Sequence, residues 1–315
     1  MLGKNKGYIW LLQRSGTTFY EIPAGAKKIG SLVSRYREAV QHLEPVSDDL
    51  TKLYALLIKP VGHDLDRLAY LGIIPDGSLH FLSFSALKDE QAYLIDRFPL
   101  FYTPSASVLK FTFAKRKNIK NPKVLALGNP NLGNYNYDLP LAELEAKSIR
   151  WDYPDVDILT REKATKEWFV NNISRYGIIH LAAHGEFDDF NPLFSSLWLA
   201  SDQPNNRRLT VKEVFGLDMH ADLVTLSACQ TGLGKLEAGE IIGLNRAFIY
   251  AGTHALVSAL WRVDDLSTSV LMKHFYRNYA TMDKAKSLRQ AQLMVKKEFP
   301  HPSYWAGFNL VGDYQ

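Results

Sequence analysis

At 315 residues, with 46% apolar and 22% charged residues, the chain has the make-up of an ordinary globular protein, long enough for one large domain or two small ones. Its single cysteine, Cys229, excludes an internal disulfide and fits a reducing, cytoplasmic setting. No apolar run reaches the ~20 residues of a membrane span, Met1 is not followed by a signal-peptide core, and the net charge of +4 is mild. The one basic cluster, 115–120, reads as a solvated linker, so direct contact with nucleic acid or membrane is not expected.

Residues 7–22 read as a hairpin, with strand-forming stretches at 8–12 and 17–20 around Ser15 and Gly16. In 26–43, Ile29, Leu32, Val33, Tyr36 and Val40 fall on one helical stripe. A second helix, 48–58, ends at Pro60, and 62–71 is a short helical connection. Residues 72–82 predict strand, Asp76–Gly77 turn and strand; a strand at 98–102 and a helix at 105–113, capped by Ser105, follow. His63 and His80 have no obvious partner here and read as structural. The polar stretch 115–122 is the expected boundary between a first domain, 1–121, and a second, 122–315.

The second part alternates strand and helix. Strands are expected at 124–130, 157–160, 178–183, 197–199, 223–226 and 255–261. Helices are expected at 139–149, 165–174, 210–215, 239–250, 267–279 and 283–299. In the first of these helices Leu141, Leu144 and Ile149 are assigned to the core, and Glu143 and Glu145 to solvent. The alternation predicts an α/β fold with a mostly parallel sheet sandwiched by helices.

The chemistry gathers at two strand ends. Residues 223–226 run into Ser227, Ala228 and then Cys229, with Gly232 and Gly234 breaking the chain beyond. A free thiol is mostly protonated at neutral pH and needs a base to become a nucleophile. His184 emerges at the end of 178–183, followed at once by Gly185. If the two strands are parallel neighbours, His184 can take the Cys229 proton and return it to a leaving amine. The N–H groups of Gly185 and Cys229 can then form an oxyanion hole.

A Ser-Ala-Cys-Gln-Thr-Gly box at 227–232, with His184 45 residues before the cysteine, follows the spacing of caspases. Together with 74–79, 180–187, 191–195, 259–265 and 304–313, it resembles CHAT-domain proteins, bacterial relatives of caspases and separase usually carried behind tetratricopeptide repeats. The resemblance implies a caspase-like fold, with 1–121 as an inactive, pseudo-peptidase half and 122–315 as the working half. It also implies a cysteine endopeptidase with a Cys229–His184 dyad and no cofactor. Such an enzyme makes limited cuts in protein substrates of a signalling, defence or cell-death pathway, under a repeat or sensor region lying outside this chain. By analogy with caspase-like folds, Ser258, Ala259, Leu260 and Trp261 would pair along an extended substrate, and Asp264 or Asp265 would select Arg or Lys before the cut. Arg262 stands where separase has an acid.

Competing readings go with each residue. His180 reads as a packed core histidine, and a metal held by His180 and His184 lacks further ligands at useful spacing. Glu186, Asp188 and Asp189 orient the imidazole or sit in a solvated loop. Asp264 and Asp265 select substrate or cap the helix that follows. A silent scaffold of the same fold is the alternative function. A nucleotide-binding protein lacks support, because no glycine-rich phosphate loop follows a strand.

Overall fold

Two blocks of parallel strands, meeting at one antiparallel seam, build the central sheet of the computed structural model, which describes residues 1–66, 68–115, 122–186, 188, 190–227 and 239–315. The chain opens with the expected hairpin, β1 (Gly7–Gln13) and β2 (Gly16–Ile22). Helices α1 (Ala26–Gln41), α2 (Ser47–Leu57) and α3 (Gly62–Leu65) lead to strand β3 (Leu71–Ile73). Then come α4 (Leu94–Arg97), β4 (Leu100–Tyr102) and α5 (Ala106–Lys115), whose first turn is capped by Ser105 Oγ accepting from the Val108 N–H.

The second part carries β5 (Val124–Pro130), α6 (Pro140–Ser148), β6 (Val156–Arg161), α7 (Lys166–Asn172) and β7 (Ile178–Ala182). A small antiparallel sheet of β8 (Gly185–Glu186), β9 (Ser196–Trp198) and β10 (Arg208–Thr210) follows, with α8 (Val211–Val214) behind a Thr210–Glu213 capping box. The remainder is β11 (Leu223–Leu226), α9 (Gly239–Tyr250), β12 (Ala255–Ala259), α10 (Asp265–Tyr279), α11 (Lys284–Glu298), α12 (Pro302–Trp305) and β13 (Phe308–Gly312).

The sheet order is β3-β4-β13-β12-β11-β7-β5-β6. Strands β6, β5, β7, β11 and β12 run one way, and β13, β4 and β3 the other. This is the expected α/β sandwich. Strands from before and after the boundary expected near residue 121 hydrogen-bond into one sheet through Val311↔Tyr102. Burial on both faces explains why β5, β7 and β11 are buried at every residue.

Register sets the faces. Ala126, His180, Thr225, Val257 and Leu310 lie side by side on the face covered by α6 and α10. Ser258 and Asn309, one residue out of phase, point to the other face, where α9 lies.

Two expectations are corrected, and one strand is added. Residues 77–81 form a tight 3-10 turn, not a second strand: Gly77 takes φ +55°, Asp76 is held by the Leu2 N–H at 2.6 Å, and Leu79 packs into the core. In α6 it is Glu145 that is buried and Leu144 that is 59% exposed. The helix rides so close that a Cβ on Gly128 would stand 2.5 Å from the Ala142 carbonyl and 2.7 Å from the Ala146 Cβ, so small side chains and Glu145, drawn to His180, line the contact. Strand β13 was unassigned from sequence and proves to be the seam of the sheet.

Candidate active site

The carboxyl ends of β5, β7 and β11 share one edge, because β7 and β11 are parallel neighbours in register from Leu223↔Ile178 to Leu226↔Leu181. The pairing continues one step, with the Ser227 N–H donating to the Leu181 carbonyl at 2.9 Å. His184 leaves β7 at that edge. Cys229, two residues beyond Ser227, lies outside the described residues, as does Asp189.

The His184 ring is 9% exposed and held from three directions. Its carbonyl accepts from the Trp198 N–H at 2.8 Å, tying it to β9. The Tyr137 ring meets it edge-on at 5.5 Å and in turn leans on Trp198 at 5.6 Å. Its Nε2 lies 3.0 Å from the Tyr137 carbonyl, which can only accept, so Nε2 carries the proton. Nδ1 is buried and has no hydrogen-bond partner among the described residues. A backbone carbonyl therefore does for this imidazole what the acid does in a Ser-His-Asp triad: it fixes tautomer and orientation.

The loop that offers this carbonyl is clamped from below. Asn129, 1% exposed and in the left-handed region at φ +50°, ends β5. Its amide donates to Asp138 at 2.8 Å and accepts from the Leu139 N–H at 2.8 Å. Arg161 pairs with Asp138 and, at 2.6 Å, with Glu143. Hydrogen bonds from Asn129, and then from Arg161, overcome partial burial and hold the Asp138 carboxyl below its ordinary range. Sequence reasoning missed Tyr137, since a carbonyl is common to every residue and carries no side-chain signal.

The loop acids are engaged elsewhere. Glu186 accepts from Trp198 Nε1 at 3.0 Å and pairs with Arg208 at 2.5 Å. Asp188 accepts from the N–H groups of Phe190 and Asn191, closing its own turn. Gly185 opens β8 opposite Leu197. His180 is fully buried between the Tyr276 hydroxyl, 3.1 Å from Nδ1, and Glu145 Oε1, 3.0 Å from Nε2. Among the described residues no cluster of three or more His, Cys, Asp or Glu is arranged to hold a metal.

The expected substrate residues divide. Ser258 is paired on both sides, with Leu226 and Asn309; Ala259 pairs with Phe308, and the Leu260 N–H donates to Gly307 at 2.8 Å. Leu260 and Trp261 are buried, and Trp261 donates to the Ser303 carbonyl at 3.1 Å. Asp264 is the cap of α10, accepting from the Ser267 N–H at 2.8 Å. Asp265, the first residue of that helix, stands on the surface free of this duty. Burial, then the neighbouring Asp264 charge, raise its carboxyl above the ordinary range, while Arg262 and His184 pull the other way.

No helix among the described residues is long and apolar enough to cross a membrane. Compared with known proteins, the sequence profile of the CHAT domain matches residues 47–313. The mouse and human proteins named Tetratricopeptide repeat protein 28 are each 28% identical over 322 residues, covering 84% of this chain. The chain spans only 13% of their length, and both are mammalian, so the match carries no bacterial lineage. Among solved structures, Saccharomyces cerevisiae separase, in complex with securin, superposes with a TM-score of 0.55 at 14% identity over 78% of this chain and 16% of that one. The Arg-specific cysteine proteinase gingipain R gives 0.54 at 11% identity, over 91% of this chain and 75% of its own.

Proposed function

Since the chain belongs to the CHAT-domain family, we propose that it is a cysteine endopeptidase whose base is His184 and whose nucleophile is Cys229. The observation that carries this reading is the His184 imidazole, oriented through Nε2 by the Tyr137 carbonyl at the shared edge of β7 and β11, with no partner for Nδ1 among the described residues. Cys229 follows Ser227 by two residues, a reach of at most about 7 Å. His184 Nδ1 takes the thiol proton, and the sulfur attacks the scissile carbonyl. The N–H groups of Gly185 and Cys229 hold the oxyanion, and the imidazolium protonates the departing amine. Water then attacks the thioester, its proton passes to the same nitrogen, and the sulfur leaves with the acyl product released as the acid.

In this reading the substrate lies extended beside Ala259, Leu260 and Trp261, on the side of β12 where its pairing with β11 ends at Ser258. With Asp264 committed to its helix, Asp265 is the carboxylate that meets an Arg or Lys side chain before the cut. Residues 1–121 serve as the non-catalytic half. The repeat proteins among its relatives support control by an attached tetratricopeptide region.

The test is fragment mass spectrometry after incubating a peptide library with the native protein and with Cys229→Ala. Cuts after Arg or Lys that vanish in the variant support the proposal; cuts that persist in the variant sink it.

A further inference from the structure

The hairpin and the edge of the central sheet leave between them a cleft of about 1500 Å³, larger than the ~300–1000 Å³ of small-ligand sites. Side chains along a strand alternate between its two faces. Both faces of β1 line the cleft, Ile9 and Leu11 as well as Trp10 and Leu12, whereas β2 contributes Ile22 alone. The cleft therefore runs along the edge of β1 that β2 does not cover. All of β3 lines it too, and of β4 only Phe101, so the opposite wall is the outer edge of the central sheet. Both edges present backbone groups with no partner among the described residues. Tyr8 exchanges two backbone bonds with Met1, each 2.9 Å, on the side away from β2. Pairing direction alternates along a strand, so the N–H and C=O groups of Trp10 and Leu12 point the same way as those of Tyr8. In β3 the Leu71 N–H donates to the Pro99 carbonyl at 3.0 Å, and the Ile73 carbonyl accepts from the Thr103 N–H at 3.0 Å, which turns the N–H and C=O of Gly72 outward. Gly72 is exposed, and a Cβ there would stand 2.5 Å from the Phe101 ring, so no side chain shields this edge.

We propose that this cleft takes one extended, apolar-rich strand of a partner protein, paired through its backbone to β1. Met1 shows what the edge accepts, a residue lying antiparallel opposite Tyr8. The partner strand continues that line, exchanging bonds with Trp10 and Leu12, and turns its other edge toward Gly72. Its side chains rest on Leu57, Val61, Leu65, Leu109 and Tyr314. The hairpin is pinned to α3 by Tyr20 and Gln13, which donate to the carboxylate and the carbonyl of Asp64, so the cleft stands open before a strand arrives. A hydrocarbon ligand fits worse, because it would cover the backbone N–H and C=O groups without matching them. None of the lining residues is assigned to catalysis or substrate, so this inference does not rest on the peptidase reading.

Calorimetric titration of the full chain with acetyl-Gln-Val-Thr-Val-Thr-Val-Gln-amide, and with the same peptide N-methylated at every internal residue, tests the assignment. The parent peptide is expected to bind at least tenfold tighter, because N-methylation keeps the side chains and removes the backbone donors. Hydrogen exchange at the amides of Trp10, Leu12 and Gly72 should slow when it binds. Leu12→Pro removes a donor that faces the cleft and no bond to β2, so it is expected to weaken the parent peptide at least tenfold while keeping the native thermal midpoint. Should that variant not fold, the two peptides and the exchange pattern on the native chain decide alone. Four results overturn the proposal: equal binding of the two peptides, no binding of the parent, binding that leaves exchange at those amides unchanged, or a dimer of the chain alone in which those amides are already slowed.

Discussion

Two histidines four residues apart, one within β7 and one just past its end, have nearly the same ring packing and different polar neighbours. His180 and His184 each meet a tyrosine ring edge-on at 5.5 Å and 77°. His180 sits mid-strand with both nitrogens in polar company, Tyr276 on one side and Glu145 on the other. His184 lies just past the strand end, with one nitrogen on a carbonyl and the other without a hydrogen-bond partner among the described residues. The difference teaches that burial alone does not separate a structural histidine from the one proposed as the base. The separation comes from what stands beside the second nitrogen, the Glu145 carboxylate at 3.0 Å for His180 and no described hydrogen-bond partner for His184, and from whether the ring stands at the sheet edge.

The sharpest way to break the comparison is to remove each ring in turn. His184→Ala should lower peptide turnover by about 10²–10⁴-fold, the range of a general base, with a smaller change in unfolding free energy than its neighbour causes. Fluorogenic Arg substrates and a denaturant melt read the two effects. His180→Ala should instead cost about 3–5 kcal/mol of stability, because it strands the Glu145 carboxylate in the core. His180→Leu with Glu145→Leu should recover most of that loss, since an apolar pair carries no desolvation penalty. If the double variant is no more stable than the single one, the buried pair is not the source of the cost.

The adjacent acids at the start of α10 extend the contrast. Asp265→Asn should raise KM for Arg substrates about 10- to 100-fold while leaving stability nearly unchanged. Asp264→Ala should cost about 1 kcal/mol of stability through the lost cap, without changing the preferred cleavage residue. The raised Asp265 carboxyl also sets a direction: affinity for basic substrates should fall as acidification protonates it, beginning above the ordinary carboxylate range.

A stability effect unconnected with the two histidines belongs to the far end of β11, where Asp222 accepts from Lys284 at 3.0 Å and Tyr279 at 2.6 Å and lies 3.4 Å from His254. Burial alone would raise its carboxyl, but His254, Lys284 and Tyr279 outweigh it and bring the value from 3.8 to about 2. A depressed carboxylate stabilises the fold above its unfolded value and ceases to do so as pH falls through the folded one. About 2 kcal/mol of stability should therefore disappear between pH ~4 and ~2, and Asp222→Asn should flatten that part of the profile.

Most elements were legible because they carry their own period: the α1 stripe, the hairpin, and the apolar runs of β5, β7 and β11. Strand β13 escaped because Asn309 and Gly312 interrupt its short apolar run, and only its neighbours β12 and β4 make it a strand. The face of α6 was misjudged because hydrophobicity put Leu144 inward, whereas close approach to Gly128 admits small residues and His180 draws in Glu145. His184 was legible as a chemical group at a strand end. Its tautomer was not, since that depends on a backbone carbonyl 47 positions away.

The sequence by itself determined the alternation of strands and helices, the hairpin, and the two strand ends at which an imidazole and the one thiol of the chain are placed. These follow from local periodicity and side-chain chemistry, which need no distant partner. Only the tertiary structure decided that Tyr137 fixes the His184 ring, that Asp264 caps a helix while Asp265 stays free, and that the open edges of β1 and β3 line one cleft. Each of these depends on which groups are brought together in space, and that is a property of packing rather than of any stretch read alone.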